Sequence, residues 1–311
     1  MTAPHRLWSS ERAFRDHNRW GATAPEPRYG GEKGKMARMD VTSLAWRTDI
    51  AILEASGSTV TDCGTHLLVT TPDNPSYHWG NFLLLKQLPV PGGAREVMGA
   101  YDTWFRTNRY RSIGIDSSAA DEHGVIDTSE FERAGMDTDV SDVMVAERLR
   151  APARPFIGGG IRPLTSDEWG KWADLELAVY ADDRRYTRDY VRARARQEQR
   201  LVAAGLGERW GVFVDGRLAA SAAAYDTGNG VLRFQSVATH PRRRKQGIAS
   251  TLLHRMTERA VAEHVRTGRE VRGFVTVADP EGPAFGCFQR LGLATLETVT
   301  ELNQNLPGQI A

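Results

Sequence analysis

The sequence predicts a mixed α/β fold built as two similar halves. Both halves alternate short apolar strands with amphipathic helices, and both finish as strand, helix, strand, helix, strand. Between them lies a break at 151–161, Ala-Pro-Ala-Arg-Pro-Phe-Ile-Gly-Gly-Gly-Ile, whose prolines and glycines read as a linker. A chain of 311 residues has room for two domains. The expected organisation is a disordered or loosely packed tail over 1–38, a first domain over 39–150, the linker 151–161, and a second domain over 162–311.

In the first half, Val41–Ser56 reads as a helix through Leu44, Ile50, Ile52 and Leu53. His66–Thr71 and Asn81–Gln87 read as apolar strands joined by the turn-rich stretch Pro72–Gly80. Gly92–Arg106 has helical spacing through Val97, Ala100 and Trp104. Arg111–Asp116 is a strand, Thr128–Ala134 a short helix and Asp139–Ala146 a strand.

The second half opens on a short strand at Arg162–Leu164. Ser166 or Asp167 is placed to cap a helix running to Tyr180. Thr187–Ala204 is a second helix, rich in arginine. Trp210–Val214 and Leu218–Tyr225 flank Asp215-Gly216, the pattern of a tight β-hairpin. Leu232–Thr239 is a strand. Gln246–Val265 is a long helix with Ile248, Leu252, Met256 and Ala260 on one stripe. Val271–Val277 is a strand, Pro283–Leu291 a helix closed by Gly292, and Ala294–Leu302 a final strand.

Composition narrows the function classes. Lys plus Arg is 40 and Asp plus Glu is 39, a net charge of +1, so any basic site is local and bulk attraction to nucleic acid or an anionic membrane is not indicated. The longest apolar runs are too short to span a bilayer. Residues 1–38 contain no apolar h-region of a secretory signal. The 2 cysteines, Cys63 and Cys287, form neither a metal motif nor a disulfide framework, which fits a reducing cytoplasm. The 8 histidines show no ligand spacing, and no metal is expected.

The most informative stretch is His240-Pro-Arg-Arg-Arg-Lys-Gln-Gly-Ile-Ala-Ser250, lying between an apolar strand and an amphipathic helix. The first turn of a helix offers unpaired N–H groups and a partial positive charge, a site suited to pyrophosphate. Gly247 and Ala249 permit close backbone approach, Ser250 adds a donor, and Arg242–Lys245 add positive potential. A nucleic-acid patch would need none of this context. The spacings G-x-x-x-x-G-K-[ST] and G-x-G-x-x-G are absent.

This stretch resembles motif A of the GNAT acyltransferase superfamily, whose signature [R/Q]-x-x-G-x-[G/A] is met by Arg244, Gly247 and Ala249. Ala284, Phe288, Gly292 and Leu293 stand at the positions of its C-terminal motif A-x-x-x-Y-x-x-x-G-F. The order of elements over 161–303 is similar as well. The resemblance implies two tandem GNAT-like domains, each a mixed, largely antiparallel sheet flanked by helices, with the first half degenerate. It implies acetyl-CoA as co-substrate, bound by Val237, Ala238, Thr239, Arg244, Lys245, Gln246, Gly247, Ile248, Ala249 and Ser250. The pyrophosphate would rest on the N–H groups of 244–250, and the pantetheine arm would lie along Val237–Thr239 where two strands splay. An amine acceptor would attack the thioester directly, its oxyanion met by a strand N–H.

Two departures bear on catalysis. The tyrosine that commonly protonates the leaving thiolate is replaced by Phe288, which core packing explains. The position of a common general base is occupied by Arg233, which does not act as a base at neutral pH, and Gln235 and Ser236 beside it do not titrate there. Asp226, Tyr225, Asp279, Glu281 and His240 titrate near strand ends, but none is singled out as a catalyst. A catalytically inactive acyl-CoA-binding or regulatory protein is the competing reading. Nucleic-acid binding through Arg242–Lys245 is a third. In the first half, Tyr77, His78, Trp79 and Asn81 read either as a structural loop or as the lining of an acceptor cleft between the halves. The arginines of 192–200 alternate over different helix faces and read as a solvated surface.

Overall fold

The computed structural model describes residues 41–108, 110–120 and 124–306; the tail predicted over 1–38 lies outside them. The first half contains α1 (Leu44–Ala55), β1 (Thr59–Asp62), β2 (His66–Thr70), β3 (Phe82–Leu85), α2 (Ala94–Trp104), β4 (Tyr110–Ile115), α3 (Ser129–Arg133) and β5 (Asp137–Ala146). The second contains β6 (Gly160–Pro163), α4 (Trp169–Val179), α5 (Arg188–Ala203), β7 (Gly207–Val214), β8 (Arg217–Asp226) and β9 (Val231–Thr239). It continues with α6 (Ile248–Arg266), β10 (Gly273–Ala278), α7 (Phe285–Arg290) and β11 (Ala294–Asn305).

Local chemistry explains most boundaries. Asp215 and Gly216 both take positive φ, 50° and 74°, and turn β7 into β8 through a two-residue hairpin. The Thr187 hydroxyl accepts the N–H of Tyr190 and caps α5. The stripe Ile248, Leu252, Leu253 and Met256 lays α6 onto the sheet. Three expectations change. The cap of α4 is neither Ser166 nor Asp167: Glu168 takes that place, drawn there by Arg162 at 2.6 and 2.8 Å, and the helix starts at Trp169. The first strand of the second half begins at Gly160, inside the expected linker, because 160–163 pairs with β7. Strand β1, mostly exposed and without an apolar rhythm, was not expected from the sequence.

All strands of the described residues form one sheet in the order β1-β2-β3-β4-β11-β5-β10-β9-β8-β7-β6. Two pairs are parallel, β3 with β4 and β9 with β10; the others are antiparallel. About the central β11–β5 pair the order β4-β3-β2-β1 on one side mirrors β10-β9-β8-β7 on the other, with β6 as an additional edge strand. The last strand of each half is exchanged: β11 lies between β4 and β5, and β5 pairs with β10. One apolar cluster spans both halves, bringing Trp46, Leu84 and Val143 together with Trp172, Val191 and Val275. Among the described residues no helix is long and apolar enough to cross a membrane.

Candidate active site

The parallel strands β9 and β10 pair only from Gly273↔Val231 to Val275↔Arg233. Beyond that point each runs on unpaired with the other, to Thr239 and Ala278. Strand β9 is also bulged. Gln235 faces Ala223 and Ala238 faces Ser221, so Ser236 and Val237 both stand opposite Ala222, with Ser236 at φ 45°. A buried ion pair braces the bulge. Arg209 meets Glu198 at 2.9 and 3.3 Å, and its guanidinium reaches the carbonyls of Gln235 and Ser236 at 3.4 Å. The Tyr225 hydroxyl donates to the same carboxylate.

Past Thr239 the chain makes one short turn over Pro241–Arg243. Lys245 and Gly247 then adopt left-handed conformations, φ 62° and 76°. Gly247 holds the chain out of the helix until Ile248, later than the expected start at Gln246. Turns of this kind gather N–H groups into an anion-binding concavity, here at the positive end of α6. No described backbone carbonyl accepts a hydrogen bond from the N–H of Lys245, Gln246, Gly247, Ile248, Ala249 or Ser250. The Ser250 hydroxyl donates to the Gly247 carbonyl at 2.9 Å, so its proton is already engaged within the loop. Arg244 folds back, its Nε donating to the Thr239 carbonyl at 3.3 Å. Val237 lies at the bulge, while Ala238 and Thr239 pair with β8.

The two halves meet at a cavity of about 280 Å³ bordered by Ser236 and Val277 of the parted strands. Glu176 of α4 and Arg194 of α5 form one wall; Asp49 of α1 and Glu301 of β11 contribute others. Tyr180 lines both this cavity and an outer groove of about 1350 Å³ whose rim carries Asp137, Asp139, Asp182 and Asp183.

Glu176 is 4% exposed, and its Oε1 has no hydrogen-bond partner among the described residues. Burial pushes its carboxyl up to about 7, against the pull of Arg209 and Arg194. Glu301 is likewise raised to about 7 by burial, with Asp49 and Asp139 adding repulsion. Burial raises Asp49 too, although Arg233 lies 2.8 Å away. Burial raises the Tyr180 phenol to about 12.

Other residues sort clearly. Phe288 is buried in the core beneath α6, and Cys287 beside it is half-buried, its thiol raised by burial. Arg233 is committed to α1 through Asp49, Thr48 and the Ala45 carbonyl. Asp226 lies 3.3 Å from His264, away from the cavity. The loop over 77–81 divides: Tyr77 and Trp79 line the cavity, whereas the Asn81 amide holds the loop through the Asn74 and Tyr77 carbonyls. Helix α5 corrects the expectation of a solvated surface. Arg192, Arg196 and Arg200 are exposed, but Arg194 is turned into the cavity because α5 lies between the halves. Glu176 was missed in the sequence. Its signal was a carboxylate one residue from Leu175 and four from Trp172, on the buried face of α4.

The corresponding place in the first half is closed. Strands β3 and β4 stay paired through Leu85↔Ile115, and the Asp116 N–H adds a bond to the Leu85 carbonyl. The Asp116 carboxylate accepts the N–H groups of Thr42 and Ser43, and Glu130 accepts that of Gly92.

Comparison with known proteins follows the same division. The profile of the Acetyltransferase (GNAT) family matches residues 169–293. Among solved structures, a functionally unknown conserved protein from Staphylococcus epidermidis superposes with a TM-score of 0.57 at 14% identity, covering 80% of this chain and 95% of that one. A GCN5-related N-acetyltransferase from Kribbella flavida gives 0.52 at 19% identity, covering 85% and 96%. A tandem GNAT protein from the clavulanic acid biosynthesis pathway gives 0.50 at 16% identity, covering 84% and 89%. These likenesses speak for the fold. No curated protein matches the chain.

Proposed function

We propose that the chain, whose residues 169–293 match the Acetyltransferase (GNAT) family profile, is an acyl-CoA-dependent N-acyltransferase, with acetyl-CoA as the donor and its second half, 162–311, binding that donor. One observation carries this reading. The parted strands lead at one end to an N–H cradle for phosphate and at the other border a cavity holding a buried carboxyl with one unpartnered oxygen. Lys245–Ser250 receive the pyrophosphate through backbone N–H groups and the helix terminus, with the Arg244 side chain beside them. Val237–Thr239 offer strand edge to the pantetheine arm.

Glu176 accepts the proton of the attacking amine. The amine nitrogen bonds to the thioester carbonyl carbon, the oxyanion collapses, the C–S bond breaks, and CoA leaves as a thiolate. Phe288 donates no proton, and none is required for a thiolate leaving group near neutral pH. Tyr180, beside Glu176 and on the path from the outer groove, keeps its phenolic proton across that range and positions the acceptor by hydrogen bonding.

Thermal unfolding with saturating acetyl-CoA tests donor binding. At 100 times its dissociation constant a ligand stabilises by about 2.7 kcal/mol, several degrees at the midpoint. Release of free CoA thiol on adding an amine tests transfer. A protein that shows neither shift nor release is not an acyltransferase; a shift without release marks a binding protein.

A further inference from the structure

The charged groups around the cavity are paired unevenly. Glu198 is already matched by Arg209, which meets both of its oxygens, and by the Tyr225 hydroxyl. Arg194 reaches the same carboxylate at 3.3 Å, so two guanidiniums share one anion. The side chain of Arg194 is only 12% exposed, lies over the Tyr77 ring at 4.2 Å and borders the cavity. It brings a surplus positive charge into a desolvated place, an arrangement that favours an arriving anion.

Elsewhere in the cavity the groups left without a contact ion pair are carboxyls. Asp49 is matched by Arg233 at 2.8 Å, whose remaining contacts go to the Thr48 hydroxyl and the Ala45 carbonyl. Among the described residues neither Glu301 nor Glu176 has an ion-pair partner, and one oxygen of Glu176 lacks a hydrogen bond as well. The aromatic rings of Tyr186 and Tyr190 stand among these groups and suit a cation. An amine without an anionic group leaves Arg194 unanswered, and an acid without an amine leaves both glutamates so.

We propose that the acceptor is a zwitterion, an amino acid whose carboxylate meets Arg194 and whose amino group faces Glu176 and Glu301. This rests on the transferase reading of the same cavity. It predicts discrimination between an amino acid and the amine left when its carboxylate is removed, because only the first makes charge-assisted bonds to a buried guanidinium.

The test uses the full chain with CoA present and matched pairs: tyrosine and tyramine, tryptophan and tryptamine, lysine and cadaverine, alanine and ethylamine. Calorimetric binding and acetyl transfer are both read, for wild type, Arg194→Met and Arg194→Lys. Within at least one pair the amino acid is expected to bind about tenfold or more tightly than its amine. Arg194→Met brings that ratio to about one by weakening the amino acid, and Arg194→Lys keeps part of it. Amines that bind as well as their amino acids, a ratio indifferent to Arg194→Met, or no binding by any member overturns the proposal. Amino-acid binding with the expected Arg194 dependence but no transfer keeps the acceptor and defeats the transferase reading. Preferred acetylation of amines lacking a carboxylate keeps the transferase and defeats the acceptor.

Discussion

A Cβ placed on Gly247 would lie 2.8 Å from the carbonyl oxygen of Arg154. The segment between the halves therefore passes against the mouth of the cradle. It is fastened there by the Phe156 N–H, which donates to the Thr251 hydroxyl at 2.8 Å, and further back by the Arg150 N–H on the Leu291 carbonyl. Gly247→Ala meets both this contact and a left-handed φ of 76°. We expect a loss of about 1–3 kcal/mol in stability, read by thermal unfolding, together with loss of the acetyl-CoA shift.

Ala249→Glu separates binding from stability. Ala249 stands in the first turn of α6, where a carboxylate interacts favourably with the helix terminus by about 0.3–1 kcal/mol. The same carboxylate would occupy the phosphate position. The variant is expected to melt no lower than wild type while losing the shift with acetyl-CoA.

Glu176→Gln tests the proton acceptor. With a carboxyl near 7, kcat/KM in the wild type should rise with pH through that value and then level. The amide variant should lose about 10²–10⁴-fold and the acidic limb together. An unchanged limb in the variant would assign it to another group, with Glu301 next in line.

The same carboxyl has a signature in stability. Burial shifts it toward its neutral form, about 7 against an ordinary 4.5. Its stabilising contribution is complete below 4.5 and is lost as pH rises through 7, by roughly 3 kcal/mol in all. Unfolding midpoints should fall between pH 5 and 8, and fall less steeply in Glu176→Gln. Glu301 adds to the same slope.

Arg209 and Glu198 are the brace behind the bulge. Glu198→Met leaves the buried Arg209 unanswered and should cost about 3–5 kcal/mol in denaturant unfolding, whereas Arg209→Met should cost less because Arg194 still meets Glu198. The double variant should recover part of the Glu198→Met loss, with Arg194 alone left without its carboxylate. Transfer should stay impaired in it, because the carbonyls of Gln235 and Ser236 lose the guanidinium that faces them.

What the sequence discloses depends on how local the cause is. The Asp215-Gly216 hairpin, the stripe of α6 and the small residues Gly247 and Ala249 are written within a few positions, and they were readable. The burial of Phe288 was readable for the same reason. The cavity was not, because Asp49, Glu176, Arg194 and Glu301 converge from four separate elements of both halves. Arg194 differs from Arg192 and Arg196 only in which neighbour its helix face meets, and that neighbour is the Tyr77 ring, more than a hundred positions away. The exchange of β5 and β11 is invisible for a related reason: alternation fixes which face of a strand is buried, not which strand lies beside it.

That exchange makes the order of synthesis matter. As the chain emerges, β4 and β5 are made early, yet the strand that belongs between them spans 294–305. Until those residues arrive, the nascent first half presents two open edges that only a segment made much later can fill. Joining Ile115 to Thr300 closes a long loop, and such contacts form slowly. A ribosome-tethered chain halted before Ala294 should therefore leave the facing edges of β4 and β5 open to proteases and chaperones, and the molecule should acquire its resistance in one late step.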